Sequence, residues 1–265
     1  MRLAMISNWG ADICGVAQFG WEWMKSLQDA GHSVMPIYWD DPIDPPLVDH
    51  VLINWDSGTL PLDKPIRQGA TVFVHHIYRG VPEGLANAEL VLSPVNGFAT
   101  YFPYPVPVYR GHGPVRQKIL GVTTLRHEGV DYLKMGAALA GWTVKASDVW
   151  RPQRLEIERL STCHAVGLWY TDSPGRSLAL ATAIAAQRPL LLSAGTRMFE
   201  YAETSPEPYW AIKSLNPMRD DPQSICAALK VIEADGSRIP VNLATAWSWP
   251  VAIQQLEALW RRSQS

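Results

Sequence analysis

The sequence predicts an α/β protein made of two doubly wound domains, each a parallel sheet covered by helices, facing one another across a cleft. Three observations carry this. Short runs such as TVFV and LVLS are apolar throughout and rich in β-branched residues, as in strands buried on both faces. Segments with helical apolar spacing alternate with them. A stretch dense in proline (Pro103, Pro105, Pro107, Pro114) and loosened by Gly111 and Gly113 interrupts the alternation once, after which it restarts.

The first block opens with a strand over 2–7, a loop, and a helix over 17–30 that stops at Gly31. Strands follow over 33–38, 50–55, 70–76, 89–93 and 106–111. In the second block a strand over 117–122 leads to a helix over 129–141. A strand over 142–147, a helix over 152–161 and a strand over 164–170 come next. A helix opening at Gly175 then feeds a leucine-rich strand ending at Ser193. Residues 210–213 read as one more short strand, and DPQSICAALKVIEA (221–234) as an amphipathic helix with Asp221 at its cap and Pro222 in its first turn. The expected division is 1–113, 114–245 and a C-terminal helix, 246–265, returning to the first domain.

At 265 residues, with 47% hydrophobic and 18% charged residues, the chain can bury a sizeable core and has no disordered profile. A net charge of −2 argues against binding that rests on broad phosphate neutralisation, although a local basic groove is compatible with it. Three cysteines, Cys14, Cys163 and Cys226, lack metal-ligand spacing and suggest a reducing compartment. The segment MRLAMISNWG enters a strand directly, without a signal-peptide pattern, and no apolar run is long enough to span a membrane. A cytoplasmic protein is expected, in the host's cytoplasm if the chain is viral. The twelve tryptophans read mostly as packing residues, a minority as stacking surfaces for a sugar or base. No H-x-x-x-H, C-x-x-C or Asp-x-Asp cluster sits on a suitable loop, so no metal is expected. P-loop and G-x-S-x-G signatures are absent too.

The segment PGRSLALATAIAAQRPLLLS (174–193) is the most informative. A helix opening on Gly175-Arg176-Ser177 offers unpaired backbone N–H groups and a positive dipole end to an anion. Arg176 and the Ser177 hydroxyl add charge and a donor there. Alanines at 179, 181, 183, 185 and 186 keep the helix thin against a sheet.

This segment resembles the donor-site helix of GT-B glycosyltransferases, G-x-S-x-x-L-E-A-M-A-x-G-x-P-V-V-x-S. Four other places are similar to the large retaining, family 4-like group of that fold, in the same order. ICGVAQFGWEWMKSLQDAGHSV (13–34) resembles its first glycine loop and helix, with Cys14 in place of the first glycine. VFVHH (72–76) resembles the strand ending in a cleft-facing histidine. ILGVTTLRHEGVDYLKMGAAL (119–139) looks like the opening of the second domain, and ATAWSWPVAIQQLEALW (244–260) like the final helices. Two features depart from the pattern. The paired glutamates of the family's E-x7-E motif are Pro174 and Thr182 here, and its paired Arg and Lys fall near Thr124 and Glu128.

The resemblance implies transfer of a sugar from a nucleotide sugar, a UDP-sugar above all, with retention and without a metal. No permanently bound cofactor is implied. His75 and Arg126 are the catalytic candidates: the histidine to contact the sugar or assist the acceptor, the arginine to meet charge on the departing diphosphate. Gly15, Arg126, Gly175, Arg176, Ser177 and Thr182 are the donor-binding candidates, and Val16, Gln18 and His76 the acceptor-binding ones. The acceptor is a glycan or lipid-linked intermediate, or a hydroxymethylated base in DNA, which some compact viral GT-B enzymes modify. The missing glutamates motivate an alternative, a non-catalytic nucleotide-sugar or glycan-binding protein on the same scaffold.

Overall fold

The structure, a computed structural model, describes the chain except residues 10–14, 39–47, 57–68, 76–83, 95–98, 103, 112, 124–129, 148–150, 169–177, 194–210, 213–220, 236–240 and 264–265. In chain order its elements are β1 (Arg2–Ile6), α1 (Gly15–Asp29), β2 (Ser33–Ile37), β3 (His50–Trp55), β4 (Thr71–Val74), β5 (Leu90–Ser93) and β6 (Thr100–Tyr101). These are followed by β7 (Arg116–Val122), α2 (Val130–Leu139), β8 (Thr143–Ala146), α3 (Gln153–Ser161), β9 (Cys163–Leu168), α4 (Leu178–Ala185), β10 (Leu190–Ser193) and β11 (Ala211–Ile212). Helices α5 (Asp221–Asp235), α6 (Val241–Ala246) and α7 (Trp249–Ser263) complete the chain. No helix among the described residues is long and apolar enough to cross a membrane.

The chain forms two compact units, one of Met1–Pro103 with Trp249–Ser265, the other of Tyr104–Ser248. Each holds one parallel sheet, ordered β2-β1-β3-β4-β5-β6 in the first and β11-β10-β9-β7-β8 in the second. The doubly wound α/β class is therefore observed.

Side-chain alternation sorts the first sheet into two faces. Ala4, Ile6, Val51, Ile53, Trp55, Val72 and Val74 build the core on one of them. The other carries Leu52 and Phe73, on which α1 lays Phe19 and Trp23, with the Phe19 and Phe73 ring centroids 4.5 Å apart. Trp249 of α7 continues this aromatic layer, 5.3 Å from Phe19. At the amino ends of the strands, the Trp260 indole N–H donates to Thr71 Oγ1 at 2.9 Å. The same hydroxyl is paired with His50 Nε2 at 2.7 Å. Burial pushes the His50 imidazole below its usual range, against the opposing pull of Glu89.

In the second unit, α2 and α5 pack with β7 and β9 around Leu120, Val122, Leu133, Ala165, Ile225 and Leu229. Alanine-rich α4 is buried along Leu180–Ala185 and packs with α3. Helices α2 and α5 touch closely at Gly136, where a Cβ would lie 2.4 Å from Ile225 Cγ2 and 2.9 Å from the Pro222 carbonyl oxygen. Because one of those neighbours is backbone, Gly136→Ala should cost about 1–3 kcal/mol. A lowered denaturation midpoint at unchanged slope would show it.

One expected element differs. Residues 106–111 do not form a strand. Val106 makes an isolated bridge to Ser248, and Thr100–Tyr101 supplies the sixth strand of the first sheet instead. Pro105 and Pro107 carry no N–H and cannot sustain a ladder there.

Candidate functional site

Strand β1 lies between β2 and β3, so the first sheet's order reverses beside it. In doubly wound sheets the crevice at the carboxyl ends of such strands is where ligands bind. Ser7, one residue beyond β1, Asn54 in β3 and His75, one residue beyond β4, meet at this edge, at 1%, 0% and 2% exposure. They share the α1 face with Leu52 and Phe73, so the alternation that buries the core also brings them together.

Polar groups this deep must be bonded to one another. The Asn54 amide nitrogen donates to Ser7 Oγ and to the Val16 carbonyl, both at 2.8 Å. His75 Nε2 lies 2.5 Å from Asn54 Oδ1. The His75 ring is flanked by Phe19 at 4.8 Å, nearly perpendicular, and by Phe73 at 4.7 Å. Asp56, just beyond β3, is also buried. Helix α1 reaches the cluster because Gly20 has no side chain: a Cβ would stand 2.6 Å from Ser7 Oγ and 2.9 Å from Asn54 Nδ2.

The corresponding reversal in the second sheet lies at β7, between β8 and β9. Thr123, at its carboxyl end, is 8% exposed, and its hydroxyl has no hydrogen-bond partner among the described residues. Nearby helices are cross-braced by Gln153 Nε2, which donates to Thr182 Oγ1 at 3.0 Å, while Thr182 donates to the Leu178 carbonyl at 2.8 Å. Arg159 grips Glu156 and donates to the carbonyls of Val122 and Lys145, tying α3 to the ends of β7 and β8.

Of the residues singled out from sequence, Gly15, Val16 and Gln18 lie in the first turn of α1, beside the Ser7–Asn54–His75 cluster. Val16 joins the cluster through its carbonyl. Thr182 lies in the other unit, buried, with its hydroxyl engaged inside the fold. His76, Arg126, Gly175, Arg176 and Ser177 lie outside the described residues. Trp23, Trp55, Trp142, Trp249 and Trp260 are core residues, and Trp21 is exposed. Among the described residues no group of three His, Cys, Asp or Glu could hold a metal ion. Sequence reading passed over Asn54 and Ser7. The available signal was a strand-disfavoured amide inside HVLINW, a run otherwise fit for burial, which needs bonded partners.

No family model and no curated protein sequence matches the chain. Solved structures do. AviGT4, a glycosyltransferase involved in avilamycin A biosynthesis, matches with a TM-score of 0.65 at 14% identity, over 100% of this chain and 98% of its own. An α-glucosyltransferase in complex with UDP and a 13-mer DNA containing a central A:G mismatch matches with a TM-score of 0.64 at 12% identity, over 98% and 99%. An α-glucosyltransferase in complex with UDP-glucose and DNA containing an abasic site matches with 0.59 at 12%, over 95% and 94%. At such identities the likeness is one of fold, and the chain has the GT-B-like architecture of these enzymes.

Proposed function

We propose that this chain is a cytoplasmic glycosyltransferase that moves a sugar from a UDP-sugar to a hydroxyl acceptor, with retention and without a metal. The observation that carries the reading is the buried Ser7–Asn54–His75 cluster at the strand reversal of a fold matched end to end by glycosyltransferases. In the reaction the bond between the anomeric carbon and the diphosphate breaks, one to the acceptor oxygen forms, and the acceptor's proton passes to the departing diphosphate. Negative charge grows on the leaving diphosphate. Arg126, Arg176 and the backbone N–H groups of residues 175–177 are assigned to meet it, with Gly15 completing the donor contacts. Thr182, its hydroxyl engaged by Gln153 and Leu178, serves the donor unit by bracing α3 against α4. His75 contacts the sugar, and Val16, Gln18 and His76 are assigned to the acceptor.

Two acceptor classes fit, a glycan or lipid-linked sugar and a hydroxymethylated base in DNA. The second gains support from the α-glucosyltransferases of like fold held with UDP and DNA, one of them with a 13-mer containing an HMU base. Incubation with UDP-glucose and either hydroxymethylated duplex DNA or a lipid-linked sugar, followed by mass spectrometry, should show a hexose added to one of them. Binding of UDP-sugars without transfer or hydrolysis would favour the non-catalytic binding protein instead. Arg176→Ala should weaken UDP binding by about 1.5–3 kcal/mol, the worth of a charge-assisted hydrogen bond. Unchanged affinity in a calorimetric titration would remove Arg176 from the donor site.

A further inference from the structure

The bonds around Asn54 leave its amide only one orientation. The Val16 carbonyl has no proton to give, so the group 2.8 Å from it is the amide NH2. The second hydrogen of that NH2 goes to Ser7 Oγ, also at 2.8 Å. Asn54 Oδ1 therefore faces His75 and can only accept. The proton of that hydrogen bond must come from the ring, on Nε2. Phe19 and Phe73, packed against the imidazole, resist its rotation out of this pairing.

We infer that Asn54 is a positioning residue that keeps a proton on His75 Nε2 and so fixes the orientation in which the imidazole stands at the strand reversal. An asparagine does this where an aspartate would not: only the amide supplies two donors for Val16 and Ser7 while offering an oxygen to the ring. Gly20 belongs to the same device, because a side chain there would displace both Ser7 and Asn54. That the ring so placed serves a sugar rests on the glycosyl-transfer reading above. The proton on Nε2 does not.

The test is nitrogen-15 NMR on full-length protein labelled at histidine, with His75 assigned by its loss in His75→Gln. A protonated and a bare ring nitrogen differ widely in shift and in coupling to the ring protons. A proton on Nε2 is the expected result, and a bare Nε2 overturns the inference. In Asn54→Ala Nε2 should lose its proton in part and turnover of UDP-glucose should fall about tenfold, with UDP affinity unchanged. If the variant keeps a fully protonated Nε2, Asn54 is not what holds the proton there. Should the variant fail to fold, the spectrum of the native protein still decides. If the proton is on Nε2 as inferred but His75→Gln turns over normally, the assignment of His75 to glycosyl transfer fails and the positioning by Asn54 stands.

Discussion

His75→Ala should lower turnover of a UDP-sugar about 100-fold or more while leaving UDP affinity near its native value. A group that acts on the sugar mainly in the transition state contributes on this scale, and its loss appears in kcat before binding. His75 is buried against Phe19 and Phe73, so the alanine variant also leaves a small cavity and an unpaired Asn54 oxygen. That adds a stability cost of about 1–3 kcal/mol, from the unsatisfied acceptor alone. His75→Gln separates the effects, since its amide can still donate to Asn54. A folded glutamine variant with native turnover would take the ring out of the mechanism and leave it a structural part.

The largest effect on folding is expected from Trp260→Ala, at about 3–5 kcal/mol. Trp260 is 3% exposed, its ring lies 5.1 Å from that of His50, and its N–H holds the buried Thr71 hydroxyl. Around it the last turns of α7 are tied to the first sheet by His32 with Glu257 at 2.9 Å and by Ser263 with Glu89. Hydrogen exchange measures the loss unit by unit. Amides of β1, β3 and β4 should lose protection while those of β7 and β9 keep theirs. Equal loss in both sheets would mean that the two units unfold as one.

The fold class was legible because parallel strands covered on both faces have little choice of residues. TVFV and LVLS could be placed for that reason. The strand Thr100–Tyr101 could not: two residues, both exposed, carry no period. Residues 106–111 had the composition of a strand, but Pro105 and Pro107 remove the N–H groups on both sides of Val106, where its ladder would start. At the site, His75 stood out because a histidine ending an apolar run is conspicuous. Asn54 was hidden by the averaging that finds strands, in which one amide among apolar neighbours counts as noise. Gly20, mid-helix and costly there, carried a signal that acquires meaning only once Ser7 and Asn54 are seen beneath it.

The first unit is assembled from two pieces of chain, and this orders its birth on the ribosome. The second unit, Tyr104–Ser248, is one uninterrupted piece and has everything it needs as soon as residue 248 has emerged. The first, although made earlier, cannot finish. Its α1 face, with Phe19 and Trp23, still lacks Trp249, and Thr71 still lacks Trp260. Domains made early usually fold early. Here the order is inverted, and throughout synthesis of residues 104–248 the aromatic layer beside His75 stays open on the side that α7 later covers. Moving residues 249–263 ahead of Met1 by circular permutation would restore the usual order, because the first unit would then be complete before the second begins.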